Sequence, residues 1–267
     1  YLRKGGRIGA AQALLGSGAD LDLSATGDDD PYFYSFETGP PRALRPLLAG
    51  VLALMALVLA AELLRGGRTG ARPEPVTGSR GATLLFTGLG AGFMLLEITV
   101  LNQAQLSIGQ PALTLAAVLA GLLLGAAGGS GLAGRVRSGR EVRWAAAAAA
   151  GAALLFGAWF LAWPALAETL RSLPPVAAAL AAALTLLPAA IPLGAPFPLL
   201  LRRVGGSGGA NVAAGWMVNG VATVAGAISA TAIAMTWGFT AAALAGVGTY
   251  LAVALLAGST GLSDRAE

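Results

Sequence analysis

The chain has 267 residues, of which 56% are hydrophobic and only 11% charged, and its mean hydropathy is +0.72. This composition excludes an ordinary soluble domain, in which about a quarter of the residues are charged. The chain has no Cys and no His, which excludes thiol chemistry, thiolate metal sites and imidazole catalysis or ligation within it. The sequence therefore predicts an all-α, polytopic transmembrane helical bundle whose main partner is the lipid bilayer.

The formal charge of +4 does not indicate a nucleic-acid partner. The 17 Lys and Arg residues form short clusters between apolar runs, and no long basic stripe is interleaved with aromatic side chains. Clusters of this kind are typical of loops that anchor a membrane protein on its cytoplasmic side. We expect no nucleic-acid binding.

Residues 1–42 are polar and rich in Gly and Asp, and they predict a non-spanning segment. The chain begins at Tyr1 without a basic and then apolar leader, so we expect this segment to be the tail of an upstream domain. The acidic triplet 28–30 precedes Pro31 and could be a solvated turn or a cation site. No spaced set of acceptors surrounds the triplet, which favours the turn, and we expect no metal site.

Apolar windows dominate residues 43–257 and predict about seven membrane spans, each long enough at about 1.5 Å per residue to cross a hydrocarbon core. Residues 258–267 form a polar C-terminal tail. Spans six and seven are joined only by Trp237 and Gly238, so they should pack as an antiparallel pair. The predicted spans are 43–64, 82–101, 113–133, 144–163, 176–201, 210–236 and 239–256.

The fifth run, 176–201, contains four prolines that remove backbone donors and should kink or break the helix. It could cross the membrane once as a broken span, or it could re-enter as a hairpin. The prolines are Pro188, Pro192, Pro196 and Pro198.

The distribution of arginines predicts the orientation. Four arginines lie between spans one and two, four between spans three and four, and two before span six, whereas Arg171 stands alone on the opposite side. The positive-inside bias places the clusters in the cytoplasm of a bacterial inner membrane. With seven crossings, the C-terminus is cytoplasmic and the N-terminal segment is outside.

Small residues at helical spacing predict close helix packing, because the hydrophobic effect does not drive helices together in lipid. Gly121, Gly125 and Gly129 repeat along span three, and Gly215 begins a small and polar ridge along span six. For the glycine ridge of span three, a structural interface is favoured over a substrate groove.

Polar residues inside spans are candidate sites. Glu97 could be a proton or cation site, or a carboxyl that bonds a neighbouring helix. Asn102 and Gln103 open an amide-rich run that could line an outer vestibule, although a solvated helix end is favoured. Asn219 could contact a ligand, but an amide that ties two helices together is favoured.

No enzyme motif is present in the sequence. Glycines 88, 90 and 92 alternate inside an apolar helix with no strand before them, and Lys4 is the only lysine. The sequence contains no Walker motif, zinc-helix motif or serine elbow. We expect no cofactor in this chain, and any catalysis would rest on carboxylates, arginines and amides or on a domain elsewhere.

Three stretches resemble the multi-pass bacterial membrane proteins related to spermidine synthase. The run 28–34 is similar to the acidic, Pro and aromatic signature that ends the soluble domain of that family, although Gly27 and Asp30 stand where the family often has Thr and Arg. The run 92–97, with Gln103, Gly109 and Pro111 beyond it, resembles the family's membrane motif. The run 192–200, followed by Trp216, Asn219 and Gly220, resembles its late spans.

The resemblance implies an upstream Rossmann-like domain of the aminopropyltransferase or methyltransferase type, whose cofactor residues would precede Tyr1. This chain would then be a membrane scaffold or would house a membrane site. Two alternatives remain: a secondary transporter that uses Glu97, motivated by that carboxylate and the proline-broken span, and a structural accessory subunit of a larger membrane complex.

Overall fold

A computed structural model describes residues 27, 29, 31, 39–66, 79–206 and 209–261, and this part of the chain is all-helical. Six helical stretches in it are long and apolar enough to cross a membrane, as expected for a multi-pass membrane protein. Most of the polar segment 1–42 and the tail from 262 onward lie outside the described residues. The helices are α1 (Leu44–Gly66), α2 (Ser79–Ile108), α3 (Pro111–Ala133), α4 (Glu141–Ser172), α5 (Pro175–Leu193), α6 (Pro196–Gly205) and α7 (Gly209–Gly261).

Glycine and proline set several helix boundaries. Gly109 ends α2 with a φ of 73°, a left-handed conformation that suits glycine. Pro111 and Pro175 stand at the first positions of α3 and α5, where a missing N–H costs nothing. The helices extend beyond the predicted apolar spans, since α4 covers 32 residues. Hydropathy locates the lipid-crossing part of a helix and does not mark its polar ends.

Helix α7 consists of two halves that meet at Gly238. This glycine has φ 85° and ψ 171°, which breaks the helical backbone. A straight helix of 53 residues would measure about 80 Å, far more than a hydrocarbon core of about 30 Å. The chain must therefore turn within α7.

Helix α2 packs against both halves of α7. As residue numbers increase along α2, the numbers of the residues that it contacts increase in the first half of α7 and decrease in the second half. The first half is therefore parallel to α2, the second half is antiparallel to it, and the two halves are antiparallel to each other. The neighbours are Gly90 with Asn219 and Ala91 with Gly226 in the first half, and Gly92 with Tyr250 and Leu96 with Gly246 in the second half.

The proline-rich run passes along α3 in one direction. Gly121 of α3 lies beside Ala183, and Gly129 lies beside Ile191. Farther along, Arg202 in α6 reaches the last turn of α3. Residues 194 and 195 keep right-handed helical φ and ψ values, so α5 and α6 are joined by a kink and not by an unwound segment.

The bundle has two distinct ends. The arginine-rich end holds the loop 134–140, the end of α6 and the start of α7. The opposite end, which we call the capped end, holds the ends of α2 and α4 and the turn at Gly238. Helix α1 lies at the periphery, where Leu57 and Leu64 are 67% and 71% exposed. Apolar side chains exposed to this degree suit contact with lipid.

Candidate functional site

Three polar side chains form a stripe on the buried face of the last turns of α2. Thr99, Gln103 and Ser107 follow one another at four-residue spacing, and each is at most 9% exposed. The hydroxyl of Thr99 donates to the carbonyl of Leu95 at 2.6 Å. By contrast, the Oε1 atom of Gln103 and the Oγ atom of Ser107 are buried without a hydrogen-bond partner. Such groups are costly, so they often mark a functional position.

Gln103 lines a cavity of about 550 Å³ at the capped end of the bundle. Helices α2, α4 and α7 and the N-terminal segment contribute to its walls. The volume is within the range of small-molecule sites. The lining residues are Asp29, Gln103, Phe160, Trp163, Pro164, Ala167, Glu168, Arg171 and Thr240.

An aromatic cluster on α4 forms the hydrophobic wall of this cavity. Trp159 stacks on Trp163 with ring centroids 4.8 Å apart and meets Phe160 edge-on at 5.3 Å. The indole N–H of Trp159 donates to Thr185 of α5 at 3.4 Å, which fixes the cluster against a second helix. The indole of Trp163 and the ring of Phe160 are thereby held at the cavity.

Asp29 closes the cavity and caps the second half of α7. Its backbone carbonyl accepts from the N–H of Phe239 at 2.9 Å. Its Oδ1 atom accepts from both the N–H and the hydroxyl of Thr240 at 2.8 Å. These bonds satisfy N–H groups that a new helix leaves free, and the carboxylate faces the positive end of the helix dipole. Asp28 and Asp30, the other members of the acidic triplet, lie outside the described residues.

The cavity is rich in hydrogen-bond acceptors. The carboxylate of Glu168 makes no hydrogen bond or ion pair with any other described residue, whereas Arg171 has partners of its own. The Oε1 atom of Gln103 is a second free acceptor. Together with an aromatic wall, these groups suit a solute that carries a positive charge and N–H donors.

The other polar candidates on α2 do not line this cavity. Glu97 is half-buried 11 positions before the end of the helix, at about 16 Å along the axis. Its carboxylate has no hydrogen bond or ion pair within the described part of the chain. Asn102 is half-buried, while Gln105 and Gln110 are exposed. Of the amide-rich run, the structure brings only Gln103 to the cavity.

The glycine ridges lie at helix contacts. A side chain at Gly125 or Gly129 would collide with α5, and one at Gly215 would lie 2.9 Å from the ring of Phe86. Asn219 is half-buried, and its backbone carbonyl and its Oδ1 atom both approach Gly90. Gly125, Gly129 and Asn219 lie where helix backbones approach closely, whereas Gly215 makes room for an aromatic ring. None of them lines this cavity.

Two further polar contacts carry no clear signal in the sequence. Glu62, near the end of α1, is 6% exposed beside a cavity of about 40 Å³ that Thr83 and Asn211 also line. Arg202 of α6 makes an ion pair with Glu141 at 3.4 Å and donates to the carbonyl of Val136 at 2.8 Å. Only their position near the ends of predicted helices could have indicated either contact.

The described residues contain no group of three or more His, Cys, Asp or Glu side chains that could hold a metal ion. Comparison with protein-family models, with curated proteins and with solved structures found no match.

Proposed function

We propose that this chain is a membrane-embedded binding domain whose helices form a rigid scaffold for a small-solute site at the capped end. The proposed ligand is a small organic cation with N–H donors, such as a primary ammonium. The observation that carries the proposal is the buried, unpartnered Oε1 atom of Gln103 in a cavity that also holds the free carboxylate of Glu168.

The chemistry of the walls supports a cation over an anion. An ammonium would donate a hydrogen bond to the unpartnered Oε1 atom of Gln103 and would supply a positive counter-charge to the carboxylate of Glu168. It would also lie near the aromatic rings of the cavity wall, which attract cations. Asp29 adds a second carboxylate, although Thr240 already occupies its Oδ1 atom. An anionic solute would meet two carboxylates and only the guanidinium of Arg171.

Calorimetry on the detergent-solubilised chain tests the proposal with three probes of similar size: ethylammonium, ethanol and acetate. We expect only ethylammonium to bind with measurable heat. Gln103→Ala should weaken its affinity about tenfold, the scale of one charge-assisted hydrogen bond. The matched control is Gln105→Ala, an exposed amide on the same helix. Binding of acetate in preference to ethylammonium would contradict the proposal.

We further propose that the chain crosses a bacterial cytoplasmic membrane seven times, with α5 and α6 as one kinked crossing and the halves of α7 as two. The antiparallel halves and the single direction of the proline-rich run support this count. Arginine clustering supports a cytoplasmic arginine-rich end and an outer capped end.

The absence of native cysteine makes the orientation simple to test. Single cysteines at Ser138 and at Ser172, which are exposed at opposite ends, can be treated with an impermeant maleimide in intact cells. We expect labelling at position 172 without lysis and at position 138 only after lysis. The reverse labelling pattern would show that the arginine-rich end lies outside and the capped end lies in the cytoplasm.

Transport through Glu97 is a second candidate function, supported by its unpartnered carboxylate inside a span. The kink between α5 and α6 gives this reading less support than an unwound helix would. Uptake in proteoliposomes that persists in Glu97→Gln with unchanged pH dependence would remove Glu97 from that role.

The two remaining proposals concern the context of the chain. The resemblance to spermidine synthase-like membrane proteins supports an upstream Rossmann-like domain, and the close helix packing is compatible with an accessory subunit. The intact mass of the polypeptide and its co-purifying partners in mild detergent would separate these two possibilities.

A further inference from the structure

A second cavity of about 570 Å³ lies at the arginine-rich end, away from the proposed solute site. It is a groove between the end of α3, the start of α4 and the kink between α5 and α6. Its base is built of small residues, among them Gly129, Ala133 and Ala195. The groove exists because Gly129 holds α3 close to Ile191 while the loop 134–140 separates the ends of α3 and α4.

The walls of this groove are apolar and partly exposed at the surface of the bundle. Leu132 is 51% exposed and Ile191 is 39% exposed, and both line the groove. Trp144 lines it one turn above the loop and is 54% exposed. Tryptophan beside a basic loop at the end of an apolar helix is typical of the boundary between acyl chains and head groups.

Three guanidinium groups surround the mouth of the groove. Arg135, Arg137 and Arg140 all line it and are exposed, and none of their side chains has a hydrogen bond or ion pair with another described residue. The nearby carboxylate of Glu141 is already paired with Arg202. Helix α4 begins here without a side-chain cap, so its first N–H groups add to the positive potential.

We propose that this groove binds an anionic phospholipid, with its head group held by Arg135, Arg137 and Arg140 and one acyl chain lying against Leu132 and Ile191. The complementarity of charge selects the head group, because three uncompensated cations at a membrane surface favour an anionic lipid over a zwitterionic one. The apolar walls and the exposed Trp144 select a lipid over a water-soluble anion. This site is independent of the cavity that contains Gln103.

Native mass spectrometry of the delipidated chain in detergent tests this proposal. The probes are phosphatidylglycerol and phosphatidylcholine with identical acyl chains, and inorganic phosphate as a competitor. We expect phosphatidylglycerol to bind about tenfold more tightly or better. Equal affinity for the two lipids, or displacement of the lipid by millimolar phosphate, would overturn the proposal, because either result means that the groove does not select a lipid head group.

Variants separate the head-group contact from the acyl contact. The triple variant R135Q, R137Q and R140Q should lose the preference for phosphatidylglycerol, whereas Arg143→Gln, an exposed arginine that does not line the groove, should keep it. Ala147→Phe should fill the groove and weaken both lipids, whereas Ala158→Phe, at an exposed position elsewhere on α4, should not. If the triple variant retains the preference, or if both phenylalanine variants bind like the wild type, the proposal is wrong. Thermal unfolding of each variant shows whether a loss of binding reflects a loss of fold.

Discussion

Replacing Gly238 by alanine tests the turn that joins the two halves of α7. The φ of 85° and ψ of 171° lie in a region that only glycine adopts readily, and forcing another residue into it costs about 1–3 kcal/mol. The new Cβ would also collide with the carboxylate of Asp29, which caps the second half of α7. Loss of that cap adds about 1 kcal/mol. We expect Gly238→Ala to lower the free energy of unfolding by about 2–4 kcal/mol.

The two contributions can be separated with a double-mutant cycle. Asp29→Ala alone should cost about 1 kcal/mol through the lost cap. In that background Gly238→Ala should cost only its backbone strain, so the two substitutions should couple by about 1 kcal/mol. Additive effects would show that Asp29 and the turn at Gly238 act independently.

The assay is unfolding by sodium dodecyl sulfate from mild detergent micelles, followed by the fluorescence of the five tryptophans. The matched control is Gly248→Ala in the second half of α7, where an added Cβ meets open space. It should be neutral or stabilise the protein by up to about 1 kcal/mol. A Gly238→Ala protein that unfolds within about 0.5 kcal/mol of the wild type would refute the proposed turn.

Three more predictions use the same unfolding assay. Gly125→Leu should destabilise the protein by about 1–3 kcal/mol or more, because a side chain there meets the backbone of α5. Gly128→Leu, on the open face of the same helix, should not destabilise it. Equal effects of the two substitutions would show that Gly125 does not lie at the contact between α3 and α5. Arg202→Gln should cost about 1–3 kcal/mol because the carboxylate of Glu141 loses its partner, and adding Glu141→Gln should recover part of that loss; a larger loss in the double variant would contradict the ion pair. Gly109→Ala should lower the free energy of unfolding by about 1–2 kcal/mol through its positive φ alone, and Gly109→Asn should lower it less. If Gly109→Ala leaves the free energy of unfolding unchanged, residue 109 does not have the left-handed conformation at the end of α2.

Composition and hydropathy determined the class of this protein and the places where its helices lie. A helix that crosses lipid must satisfy its own backbone and present apolar side chains over about 20 residues, and both properties are local. The apolar windows therefore fall on α1 to α7 without knowledge of any contact. Glycine spacing on α3 is local in the same way, since residues four apart share one helix face.

The tertiary structure decided which of these residues meet. Asp29 and Thr240 are separated by 211 positions, and no local pattern pairs an aspartate with a helix that begins so far along the chain. Gln103 and Gln105 are chemically identical, yet only Gln103 lines the cavity, because the packing of α2 within the bundle, chiefly against α7, buries one side of the helix. The groove lined by Arg135 and Trp144 likewise depends on the kink between α5 and α6. Apolarity specifies that a helix enters the membrane, whereas the way in which the helices pack against one another specifies which polar groups share a site.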